Sequence, residues 1–260
     1  MTTKVVIVVP TYNEAENVRR LAGEIAERVP HASLLLVDDK SPDGTAEIAE
    51  ALFRERREFR EYRVVRREGP RGLGRAYRDG FKLALSEGFE RIIQMDADLS
   101  HDPVYLPAML EASARADLVI GSRYCAGGGV RNWPARRLML SRFACKYVQT
   151  IARIPIADAT AGYRCWTRRA LEAVQLQTLR SDGYSFQVEM GYRAVRAGMR
   201  VVETPIIFTD RQFGRSKISR SVLIESFIMP WRLRLRPWNP SPDIAPSVTA
   251  QGSGVEISNK

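Results

Sequence analysis

The sequence has few of the residues on which hydrolases and zinc enzymes depend. It contains two histidines, His31 and His101, and three cysteines, Cys125, Cys145 and Cys165, with no CxxC spacing. No Ser-His-Asp, Cys-His or zinc-binding arrangement is apparent among so few groups. The cysteines also form no disulfide framework, so they indicate a reducing compartment and are predicted to be small core residues.

Long apolar runs are missing too. No uncharged apolar stretch reaches the roughly 18 residues that a transmembrane helix needs. Strand-like sequence begins almost at the first residue, so we expect neither a membrane-spanning helix nor a signal peptide. The chain has 260 residues, of which 45% are hydrophobic. This is enough for one large α/β domain, with or without a small appendage.

Acidic residues are absent from one part of the chain. Residues 118–157 carry seven basic and no acidic side chains, and residues 211–236 carry seven basic side chains beside a single acid, Glu225. These two segments more than account for the formal net charge of +10. Such patches suit phosphorylated substrates, anionic lipid or nucleic acid, and solvated surface charge is the alternative.

What the chain does contain is a regular alternation of strand and helix patterns. The predicted strands and the helices between them cover, in order, residues 5–9, 14–28, 33–38, 43–57, 62–66, 74–86, 91–95, 103–115 and 117–121. Apolar strands that alternate with helices predict a mostly parallel sheet covered on both faces. Ligands bind to such sheets beyond the carboxyl ends of the strands.

The second half of the chain is less regular and more basic. Helical patterns cover residues 136–153, 186–197 and 218–236, and residues 200–208 form a strand pattern. The first and last of these helices mix apolar residues with arginine. That mixture suits a helix that lies on a bilayer surface or docks onto a membrane partner, and core packing is the alternative. From residue 239 the chain is rich in Pro, Ser and Gly, which predicts a disordered tail.

Carboxylates recur at the ends of the predicted strands. Glu14 follows the first strand, Asp39 the second, and Asp96 and Asp98 the fourth. Asp96 and Asp98 are two residues apart, so in an extended segment both side chains point the same way. Hard cations such as Mg²⁺ and Mn²⁺ typically bind to one or two carboxylates together with substrate phosphates. The pattern therefore predicts a metal-diphosphate site at this edge of the sheet.

Two neighbouring patterns have a more ordinary interpretation. The loop GPRGLG at residues 69–74 is similar to a dinucleotide fingerprint, but Tyr77 stands where the third glycine is needed. We therefore interpret it as a loop that leads into a helix near phosphates. Asp102 precedes Pro103 at a helix start, so it is predicted to be a helix cap.

Six motifs follow one another along the chain: VVIVVPTYNEAENV, LLLVDDKSPDGTAEIA, GLGRAYRDGF, QMDADLSHDP, DLVIGSRY and DATAGYRCW. Together with GGGVRNWP and RQFGRSK, the set resembles the inverting GT-A nucleotide-sugar glycosyltransferases of family 2, and most closely the polyprenol (dolichol) phosphate mannose synthases. The resemblance covers roughly residues 4–220. It implies an α/β GT-A fold, that is, a Rossmann-like, mostly parallel sheet with flanking helices, plus C-terminal amphipathic interfacial helices.

The resemblance also implies three regions. Residues 1–215 would be the catalytic domain, residues 216–238 a basic amphipathic segment that associates with a membrane or a partner, and residues 239–260 a disordered tail. Within the first region, the residues that match the family positions around the base and ribose of the nucleotide are Pro10, Tyr12, Glu14, Val37 and Asp39.

The DxD motif of the family is matched by Asp96, Ala97 and Asp98. It implies contacts to the ribose and diphosphate, with Asp96 and Asp98 as ligands of a Mg²⁺ or Mn²⁺ ion. Some relatives have a glutamine ligand where this chain has Ser100, so either Ser100 or a water would complete the metal shell.

A cationic cluster is implied for the phosphates. The residues that fall at family contacts to the acceptor phosphate and the donor diphosphate are Arg123, Arg137, Ser141 and Arg211, with Lys217 as a further candidate. The implied reaction transfers mannose from GDP-mannose to a polyprenyl (dolichyl-type) monophosphate with inversion, and gives GDP and a lipid-linked mannose donor. A phosphomonoester has its second pKa near ~6, so the acceptor is already largely an oxyanion and needs cations more than a base.

The same resemblance implies a peripheral enzyme on the cytoplasmic face of a membrane. Its expected partner is the membrane surface, and an integral membrane anchoring protein is an optional further partner. No nucleic-acid partner is expected. A nucleic-acid-binding module would not explain why acidic groups line the expected ligand edge.

Other enzymes stay open as alternatives. A related transferase would use another nucleotide sugar as its donor, or a sugar hydroxyl as its acceptor. A hydroxyl acceptor would require a general base. Glu189 and Asp158 are candidates for that base, and a structural role is the alternative for both. A nucleotidyltransferase would need a glycine-rich phosphate loop after the first strand, where this chain has PTYNE.

Overall fold

The computed structural model describes residues 3–55, 61–181, 183, 185–210 and 220–240. Its strands are β1 (Val5–Thr11), β2 (Ser33–Asp38), β3 (Tyr62–Arg66), β4 (Arg91–Gln94), β5 (Leu118–Ser122), β6 (Gly129–Arg131), β7 (Arg164–Thr167), β8 (Val201–Pro205) and β9 (Ile207–Thr209). Its helices are α1 (Ala15–Arg28), α2 (Thr45–Glu55), α3 (Leu73–Ser86), α4 (Leu106–Ala112), α5 (Ala135–Ala152), α6 (Arg168–Ala173), α7 (Ser185–Arg196) and α8 (Arg220–Leu235). Short 3₁₀ turns occupy Pro103–Tyr105 and Leu176–Thr178.

Seven of these strands form a central sheet in the order β3-β2-β1-β4-β7-β5-β8. Neighbouring strands are parallel except at β7, which runs antiparallel to both β4 and β5. Strands β6 and β9 make a separate parallel pair. The prediction of a mostly parallel sheet with flanking helices is therefore confirmed.

The sheet is buried on both faces. Val6 and Val8 of β1 belong to one hydrophobic cluster, whereas Ile7 and Val9 belong to the other. Successive side chains of a strand point to opposite faces, so a strand between two helical layers must be apolar throughout. This is why β1, β2 and β5, at the centre of the sheet, are almost entirely apolar in sequence.

The cysteines behave largely as core residues. Cys145 and Cys165 are buried, Cys125 is half-buried, and all three are unpaired. Burial raises the pKa of Cys165 to about 12 and that of Cys145 to about 11, so both remain neutral thiols near neutral pH. The predicted core role is confirmed for these two.

Two predicted elements are divided in the structure. The helix expected at 103–115 begins as a 3₁₀ turn, and α4 ends at Ala112. The strand expected at 200–208 breaks at Ile206, because its N–H donates to the carbonyl of Ser122 (3.0 Å) while its carbonyl accepts from the N–H of Gly129 (2.9 Å). The chain thereby passes from β8 in the central sheet to β9 in the small one.

The C-terminal helix α8 falls within the basic segment predicted at 216–238 and packs against α5 and α7. Residues 211–219 and 241–260 lie outside the described residues, so the boundary at 215 and the disordered tail stay predictions. In the ranges that the structure describes, no helix combines the length and the apolar character that a membrane span requires.

Candidate active site

A pocket of about 610 Å³ opens at the carboxyl ends of β1, β2 and β4. This is the edge at which parallel α/β sheets bind ligands. The pocket is lined by Pro10, Thr11, Tyr12, Glu14, Asp39, Arg71, Gly72, Leu73, Ala76, Asp96, Ala97, Asp98 and Gly183. The structure therefore brings together most of the residues that were predicted to hold the nucleotide.

The adjacent carboxylates Asp38 and Asp39 have different roles. Asp38 accepts hydrogen bonds from the hydroxyl of Thr11 (3.0 Å) and from the backbone and hydroxyl of Ser41 (3.0 and 2.6 Å), so it closes the turn after β2. Asp39 lines the pocket and accepts from the N–H of Gly72 (2.7 Å) and from the guanidinium of Arg67. Asp39 is thus held in place by Arg67 and Gly72, which lie in the segment between β3 and α3.

Two arginines of the segment between β3 and α3, Arg67 and Arg71, contact residues that line the pocket. Arg67 is buried between Asp39 and Asp79. Burial lowers its pKa, but the hydrogen bond with Asp79 and the charge of Asp39 outweigh that effect and raise the pKa of Arg67 above its usual value. Arg71 lies over the ring of Tyr12, 4.8 Å from its centroid, and donates to its hydroxyl. The sequence did not predict a role for Arg71, because the recognisable pattern of the GPRGLG loop lies in its glycines.

Not every predicted nucleotide residue lies at the pocket surface. Pro10, Tyr12 and Glu14 do, and the Glu14 carboxylate also accepts from the amide of Asn17 (2.8 Å). Val37 is fully buried in β2, where it packs close to Gly80 of α3. It is part of the wall behind the pocket and is not among the residues that line it.

Asp96 and Asp98 follow β4 and both line the pocket together with Ala97. Oδ1 of Asp96 accepts from the hydroxyl of Tyr77 (2.8 Å), a tyrosine that is completely buried in α3. Burial, followed by the charge of Asp96 and the hydrogen bond to it, raises the pKa of Tyr77 well above its usual value. Tyr77 therefore stays protonated near neutral pH and donates a hydrogen bond to Asp96.

The rest of the loop after β4 supports these two carboxylates. Oδ1 of Asp98 accepts from the hydroxyl (2.5 Å) and the backbone N–H (3.1 Å) of Ser100, whose side chain is buried. His101 accepts from the backbone N–H of Asp96 (3.0 Å). Asp102 accepts from the N–H of Val104 (2.9 Å) at the start of the 3₁₀ turn, which confirms the predicted cap.

The donor set at this loop fits a hard divalent cation that is shared with a ligand. Asp96 and Asp98 offer carboxylate oxygens at the pocket wall, which are the groups that Mg²⁺ and Mn²⁺ prefer. No cluster of three or more His, Cys, Asp or Glu side chains that could hold a metal occurs within the described ranges. Asp96 and Asp98 are thus the side chains of this loop that could hold such an ion.

Arg123, a predicted phosphate contact, is buried against Asp158. Its backbone N–H and Nε donate to Oδ2 of Asp158 (2.9 and 2.7 Å), and Nη2 donates to Oδ1 (2.6 Å). Burial lowers its pKa, but these bonds and the charge of Asp158 outweigh burial and raise the pKa of Arg123. In turn, the carboxylate of Glu203 accepts the N–H groups of Ala157 and Asp158 (2.8 and 2.9 Å), a support that the sequence did not reveal.

Both candidate general bases are engaged in buried ion pairs. Asp158 is paired with Arg123, as described above. Glu189 accepts from Arg193 (2.6 Å) and from the hydroxyl and backbone N–H of Ser181 (2.5 and 2.9 Å). Neither belongs to the pocket-lining set, and their contacts are those of structural residues.

The remaining predicted phosphate contacts lie on α5 and beyond. Arg137 is partly exposed, lies 4.0 Å from the ring centroid of Trp133 and pairs with Asp210 (2.6 Å). The hydroxyl of Ser141 accepts from that of Tyr124 (2.7 Å). The other two predicted contacts, Arg211 and Lys217, lie outside the described residues.

Comparison with curated proteins finds relatives that match nearly the whole chain. Polyprenol monophosphomannose synthase of Mycolicibacterium smegmatis is 42% identical over 238 residues, which cover 90% of this chain and 89% of the relative. Undecaprenyl-phosphate mannosyltransferase of Micrococcus luteus is 41% identical over 225 residues, or 86% of this chain and 91% of the relative.

Solved structures confirm the fold at lower identity. The mannosyltransferase PcManGT from Pyrobaculum calidifontis, solved in complex with GDP-Man and Mn²⁺, superposes with a TM-score of 0.60 at 17% identity, covering 95% of this chain and 68% of that one. Mannosyl-3-phosphoglycerate synthase from Rubrobacter xylanophilus gives a TM-score of 0.55 at 20% identity, covering 90% and 74%. The model of the family described as "Glycosyl transferase family 2" matches residues 6–174. The chain belongs to this family and is a glycosyltransferase.

Proposed function

We propose that the protein transfers mannose from GDP-mannose to a polyprenyl monophosphate with inversion at the anomeric carbon, releasing GDP. The observation that carries the proposal is the pocket at the carboxyl ends of β1, β2 and β4, which combines Tyr12, Asp39, Asp96 and Asp98 in a chain over 40% identical to two enzymes named for mannosyl transfer to polyprenyl acceptors. The product would be a lipid-linked mannose donor.

The donor side of the pocket suits a nucleoside diphosphate. Gly72 and Leu73, at the N-terminus of α3, line the pocket, and a helix N-terminus favours bound anions. Tyr12 and Arg71 present a ring and a guanidinium to the same space. Asp96 and Asp98 would hold a Mg²⁺ or Mn²⁺ ion, which supplies positive charge to the departing diphosphate.

The acceptor side suits an anionic nucleophile. A phosphomonoester oxygen is already negatively charged at neutral pH, so what it needs from the protein is neutralisation and orientation. Arg137 and Ser141 lie on α5 at an exposed, basic part of the molecule. Asp158 and Glu189 are bound to arginines, which agrees with a reaction that requires no general base.

An exposed apolar surface lies next to Arg137 and Ser141 on α5 and continues onto α8. Its side chains are large and at least 40% exposed: Met139, Leu140 and Phe143 of α5, and Phe227, Ile228, Trp231 and Leu235 of α8. The two helices are joined by Tyr147, whose ring lies 5.5 Å from that of Phe227 and whose hydroxyl donates to the carbonyl of Phe227 (2.9 Å). We call this the interfacial surface.

The interfacial surface suits a membrane that carries the lipid acceptor. Arg136, Arg142, Lys146, Arg232 and Arg234 occur on the same two helices. Apolar side chains beside basic ones favour the headgroup region of an anionic bilayer. We therefore propose a peripheral enzyme on the cytoplasmic face, a side that the unpaired cysteines also fit. An integral membrane protein that anchors the enzyme would bind the same surface.

The direct test is incubation of the protein with labelled GDP-mannose, polyprenyl phosphate and Mg²⁺ or Mn²⁺. We expect organic-extractable label that depends on the lipid phosphate and is lost when EDTA removes the metal. Equal labelling from UDP-glucose would reject the donor assignment. Label in a soluble saccharide, with none in the lipid fraction, would reject the acceptor assignment.

A further inference from the structure

Tyr77 is packed so that its hydroxyl has one defined position. It lies on α3, its side chain is fully buried, and its ring stacks against those of Phe81 (5.6 Å between centroids) and Phe186 (6.2 Å). The hydroxyl emerges from this aromatic layer and donates to Oδ1 of Asp96 (2.8 Å). The hydrogen bond therefore connects a rigid part of the core to a carboxylate of the pocket.

Tyr77 borders a buried chain of polar groups. Gln94, the last residue of β4, lies beside the Tyr77 hydroxyl and donates from Nε2 to Oε1 of Gln187 (2.7 Å). The indole N–H of Trp166 donates to Oε1 of Gln94 (3.4 Å). All four side chains are buried. A buried polar network whose members satisfy one another rigidifies the structure around it.

The main chain of Asp96 is held separately. Its N–H donates to Nδ1 of His101 (3.0 Å), and the His101 ring stacks on Tyr163 at 4.9 Å. With the backbone fixed in this way, the rotation of the carboxylate is the main freedom left to Asp96. The hydrogen bond from Tyr77 to Oδ1 removes that freedom.

We propose that Tyr77 is a positioning residue that holds Oδ1 of Asp96 and thereby presents Oδ2 to a divalent cation bound together with a nucleoside diphosphate. This inference rests on the proposed nucleotide-sugar site. Phenylalanine at position 77 would keep the stacked ring and remove only the donor. The carboxylate would then rotate, and its contribution to the bound cation would fall.

Nucleotide binding in the presence and absence of metal tests the inference without turnover. Isothermal titration calorimetry would measure the affinities of wild-type protein and Tyr77→Phe for GDP and for UDP, each with and without Mn²⁺. We expect Mn²⁺ to tighten GDP binding to the wild type, and Tyr77→Phe to reduce this tightening by about tenfold, the size typical of residues that orient metal ligands. The metal-free affinity should be the same in both proteins.

The matched control is Tyr192→Phe. Tyr192 is also buried, and its hydroxyl donates to the carbonyl of Leu233 (3.0 Å), far along the chain from the DxD segment. Both variants remove a single buried hydrogen bond and keep the ring, so both are expected to fold, which circular dichroism checks. Tyr192→Phe should retain the full effect of Mn²⁺ on nucleotide binding.

A double-mutant cycle shows whether Tyr77 acts through Asp96. In an Asp96→Asn background, Tyr77→Phe should cause no further loss of metal-dependent affinity. An undiminished loss there, or a Tyr77→Phe protein that responds to Mn²⁺ like the wild type, would overturn the inference. If Mn²⁺ tightens the binding of UDP but not of GDP, and Tyr77→Phe reduces that tightening, the inference stands and the GDP-mannose assignment fails. If Mn²⁺ strengthens the binding of neither nucleotide to the wild type, both the role of Tyr77 and the proposed metal-dependent nucleotide site are rejected.

Discussion

The two sides of the proposed reaction are built in contrasting ways. The donor pocket is formed by the ends of buried strands, and its carboxylates are tied to the core: Asp39 to Arg67, and Asp96 to Tyr77. The proposed acceptor side lies on α5 and α8, which expose both large apolar and basic side chains. A small, polar, exchangeable nucleotide requires a pocket that is already organised, whereas a long lipid requires a surface on which it can lie.

Two arginines show that the contrast continues within the predicted phosphate cluster. Arg123 is buried and gives its donors to Asp158 and Thr160, so it connects the loop after β5 to the Asp158 loop. Arg137 is partly exposed, and its partner Asp210 lies just before the residues that the structure does not describe. An incoming phosphate can compete with an exposed pair at low cost. Among the described arginines of the cluster, Arg137 is therefore the better candidate to bind the acceptor.

The largest effect is expected on the donor side, from Asp98→Asn. It replaces a carboxylate at the proposed metal site with a neutral amide of the same shape, so turnover should fall by about 10³-fold while the protein stays folded. The measurement is mannosyl transfer at saturating lipid phosphate over a range of Mn²⁺ concentrations.

Asp102→Asn is the matched control for this substitution. Asp102 is four residues away in the same loop and acts as a cap through its bond to Val104. Asparagine caps helices as well as aspartate does, so this variant should keep wild-type turnover. Asp98→Asn activity within a few-fold of wild type would show that the carboxylate pair is not the metal site.

A smaller and more selective effect is expected on the acceptor side, from Arg137→Ala. Loss of a charged contact to phosphate should raise the KM for polyprenyl phosphate by about 10- to 100-fold. The affinity for GDP should stay unchanged, because Arg137 is not among the pocket-lining residues. Steady-state kinetics with each substrate varied in turn separate the two effects.

Arg136→Ala controls for net charge, because it removes the same charge from the neighbouring position of α5. If both variants raise the KM equally, the effect comes from the general positive potential and not from a phosphate contact at Arg137. A rise in the KD of GDP for Arg137→Ala would instead place this arginine on the donor side, and the separation of the two sides would be lost.

Most of the central sheet was predictable, because its inner parallel strands β1, β2 and β5 are buried on both faces and are mostly apolar in sequence. The elements that escaped are short or unusual: β7 has four residues and runs antiparallel, and β6 has three. Hydrophobic periodicity has little information in so few residues. Helix α6, which follows β7 directly, was missed for the same reason, since it has only six residues.

For the candidate site, the pocket-lining acids could be predicted and the groups that hold them could not. Asp96 is visible in the sequence because it ends a strand pattern beside a second aspartate. Tyr77, its hydrogen-bond donor, is 19 positions earlier, and no sequence pattern connects it with the aspartates. Arg71 is likewise 59 positions from Tyr12. Such pairs arise from the way β1, α3 and β4 pack, and no local pattern records that packing.

The smallest effect is expected at the interfacial surface, from Trp231→Ser. The Trp231 side chain is 47% exposed, so little core packing is lost, whereas the indole favours the headgroup region of a bilayer. Binding to vesicles that contain phosphatidylglycerol should weaken by about five- to tenfold, as measured by co-sedimentation. Val104→Ser is the control, since it removes another exposed apolar side chain (42%) away from α5 and α8. Turnover with a short-chain, water-soluble polyprenyl phosphate should be the same for both variants. If Trp231→Ser lowers that turnover as well, α8 contributes to the acceptor site itself. The proposal that α8 serves only to bind the lipid surface would then be wrong.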